Sequence, residues 1–191
     1  AIGAVPAHRH EAFVIVVHLA SDRESFLPDL LQTYAQIPVQ AVTETVELEP
    51  NRAYIIPPGS YLASVDSHLR LADLDEKRHE RGPIDHFFRT LSATHDGQAV
   101  GVVLTGTGSD GALGIKAIKE HGGVTIAQDP EDAEYDGMPR SAIATGMIDL
   151  VLPVSDIPSQ LVRLTRVAPV RALDETNELE ATERRFLQGI F

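Results

Sequence analysis

The most constraining feature is a stretch where strand, glycine turn, helix and strand follow one another without a break. Val100-Gly101-Val102-Val103-Leu104 is an apolar, valine-rich run, which suits a strand covered on both faces. Thr105-Gly106-Thr107-Gly108-Ser109-Asp110-Gly111 then turns the chain. Ala112 to Glu120 has helical periodicity, Gly122-Gly123 stops it, and Val124-Thr125-Ile126-Ala127 starts another strand. Two strands joined through a helix of this length pair in parallel by a right-handed crossover.

The same alternation runs through the rest of the chain. Phe13 to Val17 reads as a strand buried on both faces. Glu24 to Ala35 carries Phe26, Leu27, Leu30, Leu31 and Tyr34 at helical spacing, with Pro28 tolerable in the first turn. Ala53 to Ile56 is a strand stopped by Pro57-Pro58-Gly59. Tyr61 to Val65 and His68 to Ala72 alternate around Asp66-Ser67, the pattern of a hairpin with one wet face. Asp73 to Gly82 is charge-dense and reads as an exposed loop, after which Pro83 opens a helix with Ile84, Phe87, Phe88 and Leu91 on one face. Ile148 to Leu152 is a last strand. The expected fold class is α/β: a doubly wound, mainly parallel sheet with helices on both faces and a small antiparallel hairpin.

Residues 1–168 form the expected main domain. Residues 169–191 are expected to be an acidic C-terminal linker or docking helix, because within 172–191 Asp174, Glu175, Glu178, Glu180 and Glu183 face only Arg184 and Arg185. Leu173, Leu179, Phe186, Leu187 and Ile190 give that segment a sparse apolar stripe.

Composition narrows the function. Lysine and arginine number 16 against 28 aspartates and glutamates, a net charge of −12, which argues against a nucleic-acid partner. The absence of cysteine removes thiolate metal sites, disulfides and cysteine nucleophiles. No apolar run reaches the ~20 residues of a membrane span; the longest, Ala12 to Ala20, is broken by His18. A soluble, cytoplasmic protein without membrane insertion is expected.

Gly106, Gly108 and Gly111 match G-x-G-x-x-G between a strand and a helix, and Asp129 follows at the end of the next strand. That is the pattern of a dinucleotide site. Asp110, however, puts a negative charge inside the turn, where a pyrophosphate would lie. The plain alternative is a strand-to-helix turn with Asp110 as N-cap. His18 ends a strand, and Asp110 follows the end of another. At the carboxyl edge of a parallel sheet such a pair can act as base and orienter of a nucleophilic triad. His8 and His10 form an H-x-H pair without a third ligand nearby and read as surface residues. His68, His79, His86, His95 and His121 have no ligand-like grouping.

Several ordered segments together resemble the catalytic domain of the chemotaxis receptor methylesterase family, CheB. They are Thr105 to Gly114, Gly122 to Asp129, Gly137-Met138-Pro139-Arg140-Ser141-Ala142-Ile143, Ala53 to Gly59 and Val17-His18-Leu19, and the resemblance covers roughly residues 1–165. It implies a doubly wound α/β fold and a serine hydrolase that removes methyl groups from glutamate γ-methyl esters on the cytoplasmic helices of chemoreceptors. It implies deamidation of receptor glutamines as well, without metal or cofactor. The family's catalytic histidine falls on His18, its catalytic aspartate on Asp110, and its oxyanion-hole backbone N–H on Thr107. The Gly137 to Arg140 loop is expected on the substrate side of the site.

Two departures matter. The family nucleophile follows an I-G-A-S-x-G-G strand end, whereas here Ile2-Gly3-Ala4 runs into Val5-Pro6 and no serine occurs before Ser21. Ser109 and Ser141 are candidates near the site but not at the family position. If Ala1 to Ala4 ends one parallel strand, residues 5–12 must make the whole crossover to Phe13. Such a crossover needs at least ~10–12 residues, so the chain is expected to be discontinuous between Ala4 and Val5. A true deletion would instead leave a receptor-binding domain without a nucleophile. The second departure is that no receiver domain precedes the esterase segment. Arg81 to Phe88 and the acidic tail resemble forms in which the esterase is fused ahead of a receptor methyltransferase. Three readings follow: a serine-type methylesterase, a non-catalytic receptor-binding domain of the same fold, and a nucleotide-binding α/β domain.

Overall fold

The structure is a computed structural model and describes Gly3 and residues 11–17, 26–72 and 82–164. His18, the Ala4–Val5 junction, the His8/His10 pair, residues 73–81 of the expected loop and the 169–191 tail lie outside the described residues.

The architecture is α/β, with the parallel strands in two groups. In the first, β1 (Phe13–Ile15) and β2 (Val39–Ala41) flank β4 (Ala53–Ile55), all parallel. In the second, β7 (Val100–Val103), β8 (Val124–Gln128) and β9 (Leu150–Leu152) lie side by side in chain order, also parallel. The expected hairpin is present as β5 (Tyr61–Val65) and β6 (His68–Ala72), paired from Val65 opposite His68. Its two-residue turn places Asp66 at φ +52°, which a tight hairpin turn demands. A third strand, β3 (Val46–Glu47), pairs antiparallel with β6. At two residues it is too short to carry a period.

Burial follows position in the sheet. The central strand β4 is sealed along its whole length, whereas β1 is only half-buried. The expectation of a first strand buried on both faces is therefore corrected: β1 is half-buried at each of its residues, and among the described residues it pairs with β4 alone. Tyr54 of β4 is fully buried with its hydroxyl satisfied, accepting the Glu49 N–H at 2.8 Å and donating to the Glu47 carbonyl at 3.0 Å.

The helices that open at Pro83 and Ala112 begin where the sequence places them, whereas the first helix begins at Leu27 and not at the expected Glu24. Helix α1 (Leu27–Tyr34) has Pro28 in its first turn and packs on β2. It buries no residue, and Phe26, Leu30 and Tyr34 form an exposed row, so that part of its apolar stripe is not core. Helix α2 (Pro83–Thr94) buries Ile84, Phe87 and Phe88 against β5 and α3. Helix α3 (Ala112–Glu120) ends as expected at the glycine pair. Gly122 adopts φ +78°, and the N–H groups of Gly122 and Gly123 reach back to the Lys119 and Ile118 carbonyls at 3.0 and 2.9 Å. This is a Schellman closure, which favours glycine at its left-handed position.

One core joins these elements, built from Tyr54, Ile56, Leu62, Leu69, Phe87, Val103, Ile115 and Ile118, all at most 1% exposed. The compact unit runs through Pro158. A second unit begins at Ser159, and its described part, residues 159–164, is helical.

Candidate active site

The Thr105–Gly111 turn leaves the C-terminal end of β7 and enters α3. Turn backbone at a strand end needs partners other than a ladder, and the 128–141 segment supplies them. The Gly106 N–H donates to the Tyr135 carbonyl at 2.9 Å, and the Met138 N–H donates to the Gly106 carbonyl at 2.8 Å. The Ser141 hydroxyl donates to the Gly108 carbonyl at 3.1 Å. The Tyr135 N–H donates to the Thr105 hydroxyl at 2.8 Å. Thr107, between these anchors, is exposed, and its N–H has no acceptor among the described residues.

The start of the turn is fixed from beneath by Gln128, the last residue of β8 and 4% exposed. Its Oε1 accepts the Thr105 N–H at 2.8 Å, and its Nε2 donates to an Asp132 carboxylate oxygen at 2.9 Å. Asp132 also accepts the Val154 N–H at 2.8 Å. That backbone bond, and then Gln128, hold its carboxyl below the usual carboxylate range.

Asp110 does not cap the helix that follows it. The N-cap of α3 is Gly111, with no side-chain cap, which corrects the plain reading of the turn. Its carboxylate instead reaches the first turn of α2 and accepts the Ile84 N–H at 3.1 Å and the Asp85 N–H at 2.9 Å. A carboxylate has about four lone-pair sites, so two backbone bonds leave capacity for an imidazole N–H. Asp85, 5% exposed, in turn accepts the Gly114 N–H at 2.7 Å in the first turn of α3. Burial pushes the Asp85 carboxyl up, the Gly114 N–H pulls the other way, and the Asp110 charge adds to the rise.

Gly137 to Arg140 is not a loop but the first turn of α4 (Gly137–Ala144). Sequence reasoning missed this helix because it opens with glycine and has proline at its third position, where the residue type signals a turn. The segment nevertheless lies against the turn, with the Met138 side chain over Gly106: a β-carbon there would stand 2.3 Å from the Met138 sulfur. Arg140 is exposed, donating to Asp136 at 2.6 Å and Glu131 at 3.2 Å.

The phosphate-loop reading fails on the same geometry. Met138 fills the space over Gly106 that a pyrophosphate would use. The Asp129 carboxylate accepts the Glu131 N–H at 2.9 Å and so closes its own turn. Among the described residues, no group of three or more histidines and carboxylates is placed to hold a metal. No helix of the described residues is long and apolar enough to cross a membrane.

The sequence reading missed Gly82, Asp85 and Gln128. Asp85, at the third position after Gly82 in a Gly-Pro-Ile-Asp helix start, is the signal that could have been read as a first-turn acid.

The family model described as CheB methylesterase matches residues 2–161. The chain belongs to the CheB methylesterase family. It is 34% identical over 152 residues to a putative protein-glutamate methylesterase/protein-glutamine glutaminase of Leptospira interrogans, covering 79% of each chain. It is 36% identical over 172 residues to the protein-glutamate methylesterase/protein-glutamine glutaminase 2 of Burkholderia lata, covering 85% of this chain and 49% of that protein. An uncharacterized 104.1 kDa protein of Rhodobacter capsulatus is 47% identical over 131 residues, 69% of this chain and only 14% of that protein. The chain thus spans most of one relative but half or less of the other two. Among solved structures, the Thermotoga maritima CheB methylesterase catalytic domain matches with a TM-score of 0.74 and 27% identity, over 85% of this chain and 88% of that one.

Proposed function

We propose that this CheB-family domain is a serine-type protein-glutamate methylesterase acting on chemoreceptor γ-glutamyl methyl esters, with deamidation of receptor glutamines as its second reaction. The observation that supports it best is the braced turn after β7. That turn carries a held carboxylate, Asp110, and, three residues before it, an exposed donor without an acceptor among the described residues, the Thr107 N–H. Those are the orienting and oxyanion-stabilising parts of acyl-transfer chemistry.

In this reading a serine of the chain, with Ser109 and Ser141 the candidates near the turn, attacks the ester carbonyl carbon through its hydroxyl oxygen while His18 takes its proton. The Thr107 N–H stabilises the developing oxyanion, and the His18 proton passes to the departing methoxide to give methanol. Water, activated by the same histidine, then releases the glutamate. Asp110 accepts the other imidazole N–H, which fixes the tautomer that can act as base. The first turn of α4, with Met138 and Arg140, lies on the substrate side. The receptor helix is the partner. The 169–191 segment links the 1–168 domain to a fused receptor methyltransferase, and the protein works in the cytoplasm.

The run Ile2-Gly3-Ala4-Val5-Pro6, with no serine before Ser21, favours a second reading: a receptor-binding domain that lacks its nucleophile. Treating the purified chain with a serine-directed organophosphonate and weighing it intact separates the two. The methylesterase reading expects a single stoichiometric adduct on the 191-residue chain. A mass equal to the 191-residue chain with no adduct leaves the binding domain.

A further inference from the structure

The Asp110 carboxylate sits over the Cα of Gly82, the N-cap of α2. A β-carbon on Gly82 would stand 2.1 Å from the Asp110 Cγ and 2.2 and 2.3 Å from its two oxygens. All three distances lie far inside van der Waals contact, so no side chain at residue 82 is compatible with the carboxylate where it is. The backbone itself makes no demand for glycine: φ is −62° and ψ 158°, an extended conformation open to any residue. What requires glycine is the space. The bare Cα of Gly82 leaves the room the carboxylate occupies, and the Ile84 and Asp85 N–H groups hold it there. Those two donors are among the four N–H groups that the start of a helix leaves without an intrahelical partner. Pro83 ahead of them fixes φ for helix entry and brings no donor of its own.

We propose that Gly82 is a positioning residue of the esterase, the floor of a seat formed with the Ile84 and Asp85 N–H groups that sets where the Asp110 carboxylate meets His18. This rests on the reading of Asp110 as the triad aspartate. Two hydrogen bonds to one helix end restrict how the carboxylate can turn. The aspartate then enters the reaction already aimed, the preorganisation that a triad needs. In this role Gly82 never touches the substrate and acts only through Asp110.

The test measures methanol release from a methylated receptor fragment by the wild-type chain and by Gly82→Ala, Asp110→Glu and Asp110→Ala. Circular dichroism and thermal melting report whether each variant folds. Gly82→Ala is expected to lower kcat about 10²-fold, the scale of an ångström-level misplacement, with KM unchanged. The acidic limb of its pH–rate profile should also move, because the histidine loses its oriented partner. Asp110→Glu keeps the charge and both acceptors and changes only where the carboxylate sits, so it should be impaired to within about tenfold of Asp110→Ala. Gly82→Ala folded with unchanged kcat and pH profile overturns the proposal. If Gly82→Ala does not fold, Asp110→Glu decides alone, and near-wild-type turnover by it overturns the seat. Full activity in Asp110→Ala would instead remove the triad reading itself, a different outcome from failure of the seat.

Discussion

Asp85 and Asp110 cap each other's helices. Asp110, just ahead of α3, accepts the Ile84 and Asp85 N–H groups at the start of α2; Asp85, in α2, accepts the Gly114 N–H in the first turn of α3. Each carboxylate thus satisfies orphan donors of the neighbouring helix and meets its positive end. The two helix starts are locked at one point beside the turn that carries Thr107. The arrangement sets two negative charges close together, and the more buried one, Asp85, bears the cost.

Asp85→Asn is expected to be as stable as the wild type at pH 7, or slightly more so. The amide oxygen still accepts the Gly114 N–H, and a buried charge beside Asp110 is removed. The sign follows from the direction of the shift. A carboxyl whose folded pKa lies above the ordinary 3.8 contributes stability below that value and loses it as pH rises through the folded pKa. Asp85→Ala lacks the acceptor and should lose about 1 kcal/mol. Urea melts at pH 7 check both; a clear loss in Asp85→Asn would mean that the ionised form is what the site needs.

Asp149 should give the opposite slope. It accepts the Thr125 N–H at 2.9 Å and the Thr125 hydroxyl at 3.0 Å, and it pairs with Lys119. Burial pushes its carboxyl up, but Lys119 and Thr125 together hold it below the ordinary value. Its contribution is present above about pH 4 and is lost as pH falls through the lowered pKa. Asp149→Asn should therefore lose stability at pH 7 and show a shallower fall in Tm between pH 5 and pH 3 than the wild type. Parallel Tm–pH curves for the two proteins would contradict the assignment.

Gln128 ties the Thr105–Gly111 turn to the chain at Asp132. Gln128→Leu leaves the Thr105 N–H without its partner; since Thr105 is exposed and water can replace the acceptor, the cost is about 0.5–1.5 kcal/mol. Because the turn that it frees carries Thr107, kcat should fall while KM stays near the wild-type value. Thermal melting and methanol-release kinetics on one preparation read both effects. Full stability would show that the Thr105 N–H finds another acceptor.

Gly106→Ala should displace Met138, whose sulfur stands 2.3 Å from where the new β-carbon would be. The methionine is unbranched and can yield, so the loss should be partial and should be relieved by a second change, Met138→Ala. A double-mutant cycle on Tm reads the coupling. Additive effects would mean that the two residues do not compete for one space.

Much of the fold was legible where local pattern and tertiary role agree. Helix α3 runs between a turn and a glycine pair that each have a backbone reason, and the hairpin turn falls at Asp66-Ser67 as the alternation implies. Legibility fails where an element is too short for a period, as in β3, or where punctuation residues sit inside a helix, as in α4. The apolar row Phe26, Leu30 and Tyr34 misleads because periodicity gives a face and not what covers it. At the candidate site, the glycine turn and Asp110 stand out in the sequence as candidates because strand ends gather function in parallel sheets. Gly82 and Asp85 were missed because their role exists only across α2 and α3, and no spacing along the chain encodes a contact between residue 82 and residue 110.

The most direct test of the account is methanol release from a methylated chemoreceptor fragment by the purified chain, with His18→Gln in parallel. The account predicts steady methanol production by the wild type. It predicts a fall of several orders of magnitude in a folded His18→Gln, since removing a triad member leaves only the contribution of binding and the oxyanion donor. A folded wild-type chain that binds the fragment and releases no methanol would contradict it.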